Sequence, residues 1–306
     1  MSQSSTLEKR KERAAQLSML AAVFLSSLKL IVALATGSLA ILSEALHSIL
    51  DLAASCITWM AVRSARRPAD DFHTFGHARI ENLSAMAESI LLLVVSFFVI
   101  SEGCERLFSS QPQVQPGFIA LLLMAFSLVI DIRRAKSLKA IAKESQSQAL
   151  DADAMHFSTD ILSTTAVLVG LLLVNIADIV PVDAKIRAVL LHADTIAAFA
   201  VALIILVVSL RMIFRSCQIL LDGCPVALQE KIRSVILTAD DVLKISRMRI
   251  RSSGATYFVD LAICIEGTKS VQDGHAICQS VEQKILSLLP TADITIHVDP
   301  IQEYAC

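Results

Sequence analysis

His47 and Asp51 stand four residues apart, and His156 and Asp160 repeat that spacing far down the chain. On an α-helix, residues four apart share one face a turn from each other, so each pair offers an imidazole and a carboxylate in the same direction. Two such helices facing one another supply two nitrogen and two oxygen ligands. That set suits a borderline-soft divalent ion, because zinc takes histidine nitrogen and aspartate oxygen in a tetrahedron, whereas magnesium or calcium calls for oxygen alone. The two carboxylates also cancel the ion's double charge. One His–Asp pair alone would serve equally well as glue between helices; two matched pairs in separate apolar segments point to a site.

A second group follows in ADDFHTFGHARIEN, where Asp70, His73 and His77 could meet one ion across a tight loop containing Gly76, with simply solvated loop histidines as the plainer alternative. A third lies near the C-terminus. There Ile294, Ile296 and Val298 alternate with His297 and Asp299, which share the opposite strand face. Asp260 on the neighbouring strand and His275 on the preceding helix complete a candidate ligand set, with a solvated sheet edge as the plainer alternative.

The elements that carry these residues are membrane helices. The chain of 306 residues is 55% hydrophobic and 18% charged, with a mean hydropathy of +0.63, too apolar for a soluble domain of this length. A helix crossing the bilayer needs about 20 apolar residues, and six runs qualify: 16–36, 39–62, 83–101, 116–132, 155–179 and 192–214. Glu44, His47 and Asp51 then fall inside the second span, and His156 and Asp160 inside the fifth. Ionisable groups at such depth are costly and mark function by default. Lys29 in the first span needs an acidic partner, for which Glu44 is the candidate.

Basic residues set the orientation. Lys9, Arg10, Lys11 and Arg13, then Arg63, Arg66, Arg67 and Arg79, then the Arg133–Lys143 cluster, and finally Arg211 and Arg215 lie on one side; only Arg106, Lys185 and Arg187 lie on the other. Both termini are therefore expected in the cytoplasm. The polar, charged N-terminus lacks a cleavage site after the first apolar run, so that run is expected to stay. The net charge of -2, with its basic residues in short clusters, gives no nucleic-acid footprint. Cys56, Cys104, Cys217, Cys224, Cys264, Cys278 and Cys306 stand apart without paired spacing and read as reduced packing residues.

Beyond Asp222, Gly223 and Pro225 the pattern becomes that of a soluble domain. Residues 226–238 read as a helix, 244–252 and 256–266 as strands around Ser253 and Gly254, 270–288 as an amphipathic helix and 293–299 as a strand. The order αββαβ predicts a small helix-on-sheet sandwich that gains from pairing with a second copy. The organisation expected is a cytoplasmic N-terminal tail (1–15), a six-helix all-α transmembrane domain (16–215) and a cytoplasmic α+β domain (222–306).

These residues resemble the cation diffusion facilitators. GSLAILSEALHSILD is similar to the family's span-two signature, DADAMHFSTDILS to its span-five signature and HTFGHARIENLSA to its second-loop signature. The resemblance covers nearly the whole chain and implies a homodimer whose C-terminal domain is ferredoxin-like and metallochaperone-like. It also implies that His47, Asp51, His156 and Asp160 form the transport site, in the two-His, two-Asp version of zinc-preferring members. Asp70, His73 and His77 match the loop site; Arg79 and Asp222 match a charge interlock near the dimer interface, with Arg in place of the commoner Lys. In the C-terminal domain, Ser246 and Ala262 occupy two further ligand positions, so the resemblance implies at most a weak regulatory site of Asp260, His275, His297 and Asp299 rather than a binuclear one. No His-rich stretch joins spans four and five, which favours a bacterial inner-membrane protein.

The function expected is efflux of a divalent transition metal, by zinc/proton antiport through alternating access. Zn2+, or else Cd2+, Co2+, Fe2+ or Mn2+, is cargo and regulator rather than cofactor. The proton is the counter-ion and the lipid bilayer the other partner. An iron- or manganese-preferring member is the alternative within the family. A membrane-embedded zinc hydrolase is the alternative outside it, but four protein ligands leave no open position for water. A membrane metal sensor would need its strong site in the C-terminal domain instead.

Overall fold

The computed structural model describes residues 2–108, 118–179 and 184–301; at 2–5, 39, 40, 43, 99, 102–108, 167, 170–179 and 184–198 it describes backbone only. The side chains of Cys104, Arg106, Lys185 and Arg187, and Cys306 altogether, lie outside the described residues. Two units emerge, one of Met1–Arg66 with Ile80–Ser216, the other of Arg67–Arg79 with Cys217–Cys306.

The first unit holds six long helices: α1 (Ser2–Thr36), α2 (Leu39–Ala65), α3 (Ile80–Phe108), α4 (Phe118–Ser145), α5 (Gln148–Ile179) and α6 (Ala184–Leu220). Among the described residues, four carry a stretch long and apolar enough to cross a membrane: Thr6–Thr36, Glu44–Ala65, Ile80–Phe98 and Phe199–Leu220. Described parts of α4 and α5 do not, since Asp131, Arg133 and Arg134 interrupt one and Asp151, Asp153 and Asp160 the other. Outward faces are strongly apolar. Ile31, Leu34, Phe97 and Phe118 are each more than 60% exposed, which suits lipid and would be unusual on a water-facing surface.

Local chemistry explains the breaks between helices. Gly37 takes a φ of +63° and bonds its amide back to the Ala33 carbonyl at 2.9 Å, closing α1. Ser38 then caps α2 by accepting from the Ile41 amide. Between α4 and α5, Ser147 accepts from the Leu150 amide at 3.3 Å while its hydroxyl donates to Glu81. The polar N-terminal stretch expected as a tail is helical and continuous with the first apolar run, tied by Arg10 to Glu144 at 2.5 Å, by Lys11 to Glu81 and by Glu12 to Arg66.

Small residues let α1, α2, α4 and α5 approach closely: Ala14, Ala15, Ala135, Ala142, Ala149 and Ala154 are buried with Val62, Leu138, Leu150 and Phe157. Trp59, the only tryptophan of the chain, packs against this seam and carries the Arg63 guanidinium 5.5 Å from its ring centroid. Lys29, also buried, finds Glu44 and Ser48, both at 2.7 Å.

The second unit runs α7 (Val226–Ile236), β1 (Lys244–Ser253), β2 (Thr256–Glu266), α8 (Val271–Leu288) and β3 (Ala292–Ile301). The sheet order is β1-β2-β3, antiparallel then parallel, with a bulge between Ile245 and Arg247. Val259, Leu261, Ile263 and Ile265 of β2 meet Ile277, Val281 and Ile285 of α8 in a closed apolar core. Ser270 and Asp273 form a capping box at the start of α8.

The loop between α2 and α3 belongs to this second unit, not to the helical one in which sequence order had placed it. Phe75 stacks edge-on against Phe258 at 5.1 Å, and the Arg251 guanidinium lies 3.8 Å from the Phe75 centroid. The β1–β2 turn leaves little room: a Cβ at Gly254, whose φ is +60°, would stand 2.9 Å from the Ala78 Cβ.

Candidate metal centre

In the helical unit, α2 and α5 bring the two expected pairs together. His156 Nε2 stands 3.2 Å from Asp51 Oδ1 and 3.4 Å from Asp160 Oδ2, while His47 Nε2 stands 3.8 Å from Asp51 Oδ1 and 3.9 Å from Asp160 Oδ1. Each histidine thus points one nitrogen at both carboxylates. The His156 and Asp160 side chains are mostly buried, whereas His47 is 41% exposed. His156 Nδ1 and Asp160 Oδ2 are buried without a hydrogen-bond partner. Asp160 Oδ2 faces the cluster and asks for a ligand there, whereas His156 Nδ1 lies on the ring edge turned away from it. Two carboxylates and two imidazoles facing one another form a donor set that fits a divalent ion.

Around this cluster lies a buried polar network that the spacing of His and Asp did not disclose. Asp153, one turn before His156, accepts from Ser18 at 3.0 Å and Ser55 at 3.4 Å. Arg134 donates to the same two hydroxyls at 3.1 Å, bonds Asp131 at 3.2 Å and lies 3.7 Å from the Phe157 ring centroid. On α3, Glu88 accepts from Thr58 and Ser84, and Glu81 pairs with Lys11. The sequence signal existed, since Glu88 falls in the third apolar run and Asp131 in the fourth, and each has a partner at helical spacing, Ser84 and Arg134, but no His–Asp pair marks them as ligands.

The loop triad also converges. Asp70 Oδ1 accepts from the backbone amides of Phe72 at 3.0 Å and His73 at 2.6 Å, and the carboxylate lies 3.4 Å from His73 Nδ1 and 3.3 Å from His77 Nε2. Gly76, with a φ of +76°, makes the turn and bonds its amide to the His73 carbonyl at 2.9 Å. His77 Nδ1 lies 3.2 Å from the Pro68 carbonyl oxygen, which only accepts. In the neutral ring the proton therefore sits on Nδ1, leaving the Nε2 lone pair for a ligand.

Asp70 is held below the ordinary carboxylate value of 3.8, first by the His73 amide, against some desolvation, and then by the Phe72 amide and the two imidazoles. A depressed carboxylate adds stability above its unfolded value and loses it as pH falls through the folded one. The loop's hydrogen bonds should therefore persist at neutral pH and open only below pH 3.8; amide exchange of residues 70–77 across an acid titration checks this, and opening near pH 6 would contradict it.

In the C-terminal unit the outcome is narrower. His297 Nε2 lies 3.0 Å from Asp299 Oδ1, and Ser246 donates to Asp299 Oδ2 at 3.2 Å. Among the described residues, only Asp70–His73–His77 and His47–Asp51–Asp160 place three ligand atoms within 4.8 Å of one another. Asp260 and His275 join no such group within one chain. His275 instead lies beside Gln279, 3.2 Å away on α8. Arg79 bonds Asp222, whose φ of +62° marks the turn after α6.

Comparison with known proteins now identifies the architecture. Residues 15–221 match the cation efflux transmembrane domain and residues 224–301 the cation efflux protein cytoplasmic domain. The chain belongs to the cation diffusion facilitator family. It is 31% identical to the cation-efflux pump FieF of Citrobacter koseri over 87% of this chain and 84% of that one, and 31% identical to FieF of Cronobacter sakazakii over 94% and 92%. Among solved structures, a zinc form of CzrB matches at 24% identity over 28% of this chain and 98% of that one, with a TM-score of 0.26. A family member is a multi-pass membrane transporter rather than an enzyme, with helical spans followed by a cytoplasmic domain built on a small sheet.

Proposed function

We propose that this protein exports a divalent transition metal, zinc for preference, from the cytoplasm in exchange for protons by alternating access. The observation carrying this reading is the convergence of His47, Asp51, His156 and Asp160 from α2 and α5 at 3.2–3.9 Å. Ligands of this kind bind metal only when the imidazoles are neutral, so protons and zinc compete for one site, and protonation from the far side ejects the ion. The full reading has six spans with both termini cytoplasmic in the inner membrane, a transport domain at 16–215, a ferredoxin-like domain at 222–306 and a homodimer. Asp70, His73 and His77 hold a second ion in the loop, and Arg79 with Asp222 locks loop and domain. Asp260, His275, His297 and Asp299 serve at most as a single regulatory ion's ligands, since Ser246 and Ala262 supply no imidazole.

The test is uptake by proteoliposomes across zinc, cadmium, cobalt, iron and manganese, with and without a pH gradient. Zinc-favouring, gradient-driven uptake supports the reading; zinc-dependent hydrolysis without uptake would replace it. A finer prediction concerns selectivity. Exchanging His47 for Asp trades a nitrogen ligand for a harder oxygen, so the zinc-to-manganese rate ratio should fall by about tenfold, the equivalent of ~1.4 kcal/mol. An unchanged ratio would place selectivity outside these ligands.

A further inference from the structure

Below the metal centre, buried polar side chains continue along three helices. On α2, Asp51, Ser55 and Thr58 follow at spacings of four and three, one face of a helix. Ser55 touches Asp153 on α5, Thr58 touches Glu88 on α3, Ser84 touches Glu88 one turn back along α3, and Glu81, three residues before Ser84, meets Ser147 and Lys11. Ser55, Thr58, Glu88 and Asp153 are all 0% exposed. The column thus runs from the transport ligands toward the end of the bundle where α2 leaves for the loop, Thr58 lying about 10 Å along the helix from Asp51.

Glu88 is the exceptional member. Glu81 has Lys11, and Asp153 shares its serines with Arg134, but among the described residues no cation lies within salt-bridge distance of Glu88. Oε1 accepts both hydroxyls, and Oε2 is buried without a partner. An ionised Glu88 would be an uncompensated charge in a dry site, far costlier than one unpaired hydroxyl. The charged or titratable groups facing it are Asp153 and His156 on α5. On α2, among the described residues, it bonds the Thr58 hydroxyl and no other group, and Phe199–Leu210 of α6 hold no titratable residue.

We propose that Glu88 is a proton-relay residue on the loop-side flank of the transport site, an assignment that rests on the proton-coupled export reading above. An imidazole N–H of the transport ligands breaks and its proton forms an O–H bond at Glu88; that O–H bond then breaks and the proton leaves through the Ser84 hydroxyl, which reaches Glu88 Oε1, toward the side where α2 ends and α3 begins. No electrons move, and the metal is never bound by Glu88. Thr58 and Ser84 stabilise the ionised state only for the interval in which the proton is absent.

The experiment uses the full-length protein in proteoliposomes with an internal pH dye and zinc as the transported ion. Glu88→Gln, isosteric with the neutral acid, should move about one proton fewer per zinc and lose part of the pH dependence of the rate, while still binding zinc by calorimetry in detergent. Thr58→Val, which keeps the acid but removes a donor to its charged form, should preserve the proton-to-zinc ratio and displace the pH–rate profile to higher pH. A wild-type ratio and profile in Glu88→Gln overturns the assignment, as does loss of zinc binding. Should Glu88→Gln not fold, an unmoved profile in Thr58→Val overturns it equally. Zinc uptake by the wild type without any proton movement would instead sink the export-coupling reading, and Glu88's role with it, a result visible before any variant is made.

Discussion

Asp160→Ala will abolish zinc transport while the protein remains folded. Asp160 faces both imidazoles, and in the proposed site it balances, with Asp51, the charge of the ion. Removing it leaves a 2+ ion against a single carboxylate and an incomplete tetrahedron. Losing even an outer-shell partner of a metal ligand costs about 10–100-fold in affinity, so loss of the ligand itself should cost at least about 100-fold. Folding should survive because the vacated side chain is no part of the alanine-rich packing between α1, α2, α4 and α5. The decisive pair of measurements is zinc uptake in proteoliposomes and monodispersity in detergent. Uptake at the wild-type rate from a well-folded variant would remove Asp160 from the site; His156→Ala should mirror its failure.

Arg134 carries the second large effect, this time on stability. Its guanidinium is the only cation bonded to Asp131 and to the Ser18 and Ser55 hydroxyls among the described residues, and its face covers Phe157. Arg134→Met keeps apolar bulk but leaves the half-buried Asp131 and the buried Asp153 without a countercharge. Breaking a buried ion pair from one side costs about 3–5 kcal/mol, and thermal or denaturant unfolding in detergent should register it. Arg134→Lys should fall between, because an ammonium retains the charge and loses both the fork and the stacking. A change within about 0.5 kcal/mol, the scale of a surface substitution, would show that water or lipid screens this network.

The contrast between these two residues marks where sequence reading reaches and where it stops. The convergence of His47, Asp51, His156 and Asp160 was legible because both pairs repeat one local spacing, and helical geometry turns spacing into direction. Lys29 was legible as a buried amine in need of Glu44 for a different reason: the two lie on adjoining helices joined by a tight turn at Gly37. The strands of the C-terminal domain announced themselves through alternation. Arg134 with Ser18, by contrast, joins residues on α4 and α1, and Asp153 reaches Ser55 across α5 and α2, with no period to connect them. Likewise, nothing in the composition of residues 67–79 tells that Phe75 will pack on Phe258 rather than beside the helices it connects. His275 shows the opposite case: a ligand candidate by type and order, it lies within one chain beside Gln279 on its own helix, a contact that neither residue type nor strand alternation signals.

Trp59 gives the molecule an optical reporter that needs no labelling. It is the sole indole in the chain, on the same helix as His47 and Asp51, next in sequence to Thr58 and seated in the seam where α1, α2, α4 and α5 meet under a guanidinium. Any rotation of α2 against that seam changes the polarity and the positive charge around the ring, and with them the wavelength and yield of its emission. Zinc titration and stopped-flow mixing, followed by native fluorescence, would therefore time the rearrangement of the bundle in the unmodified transporter.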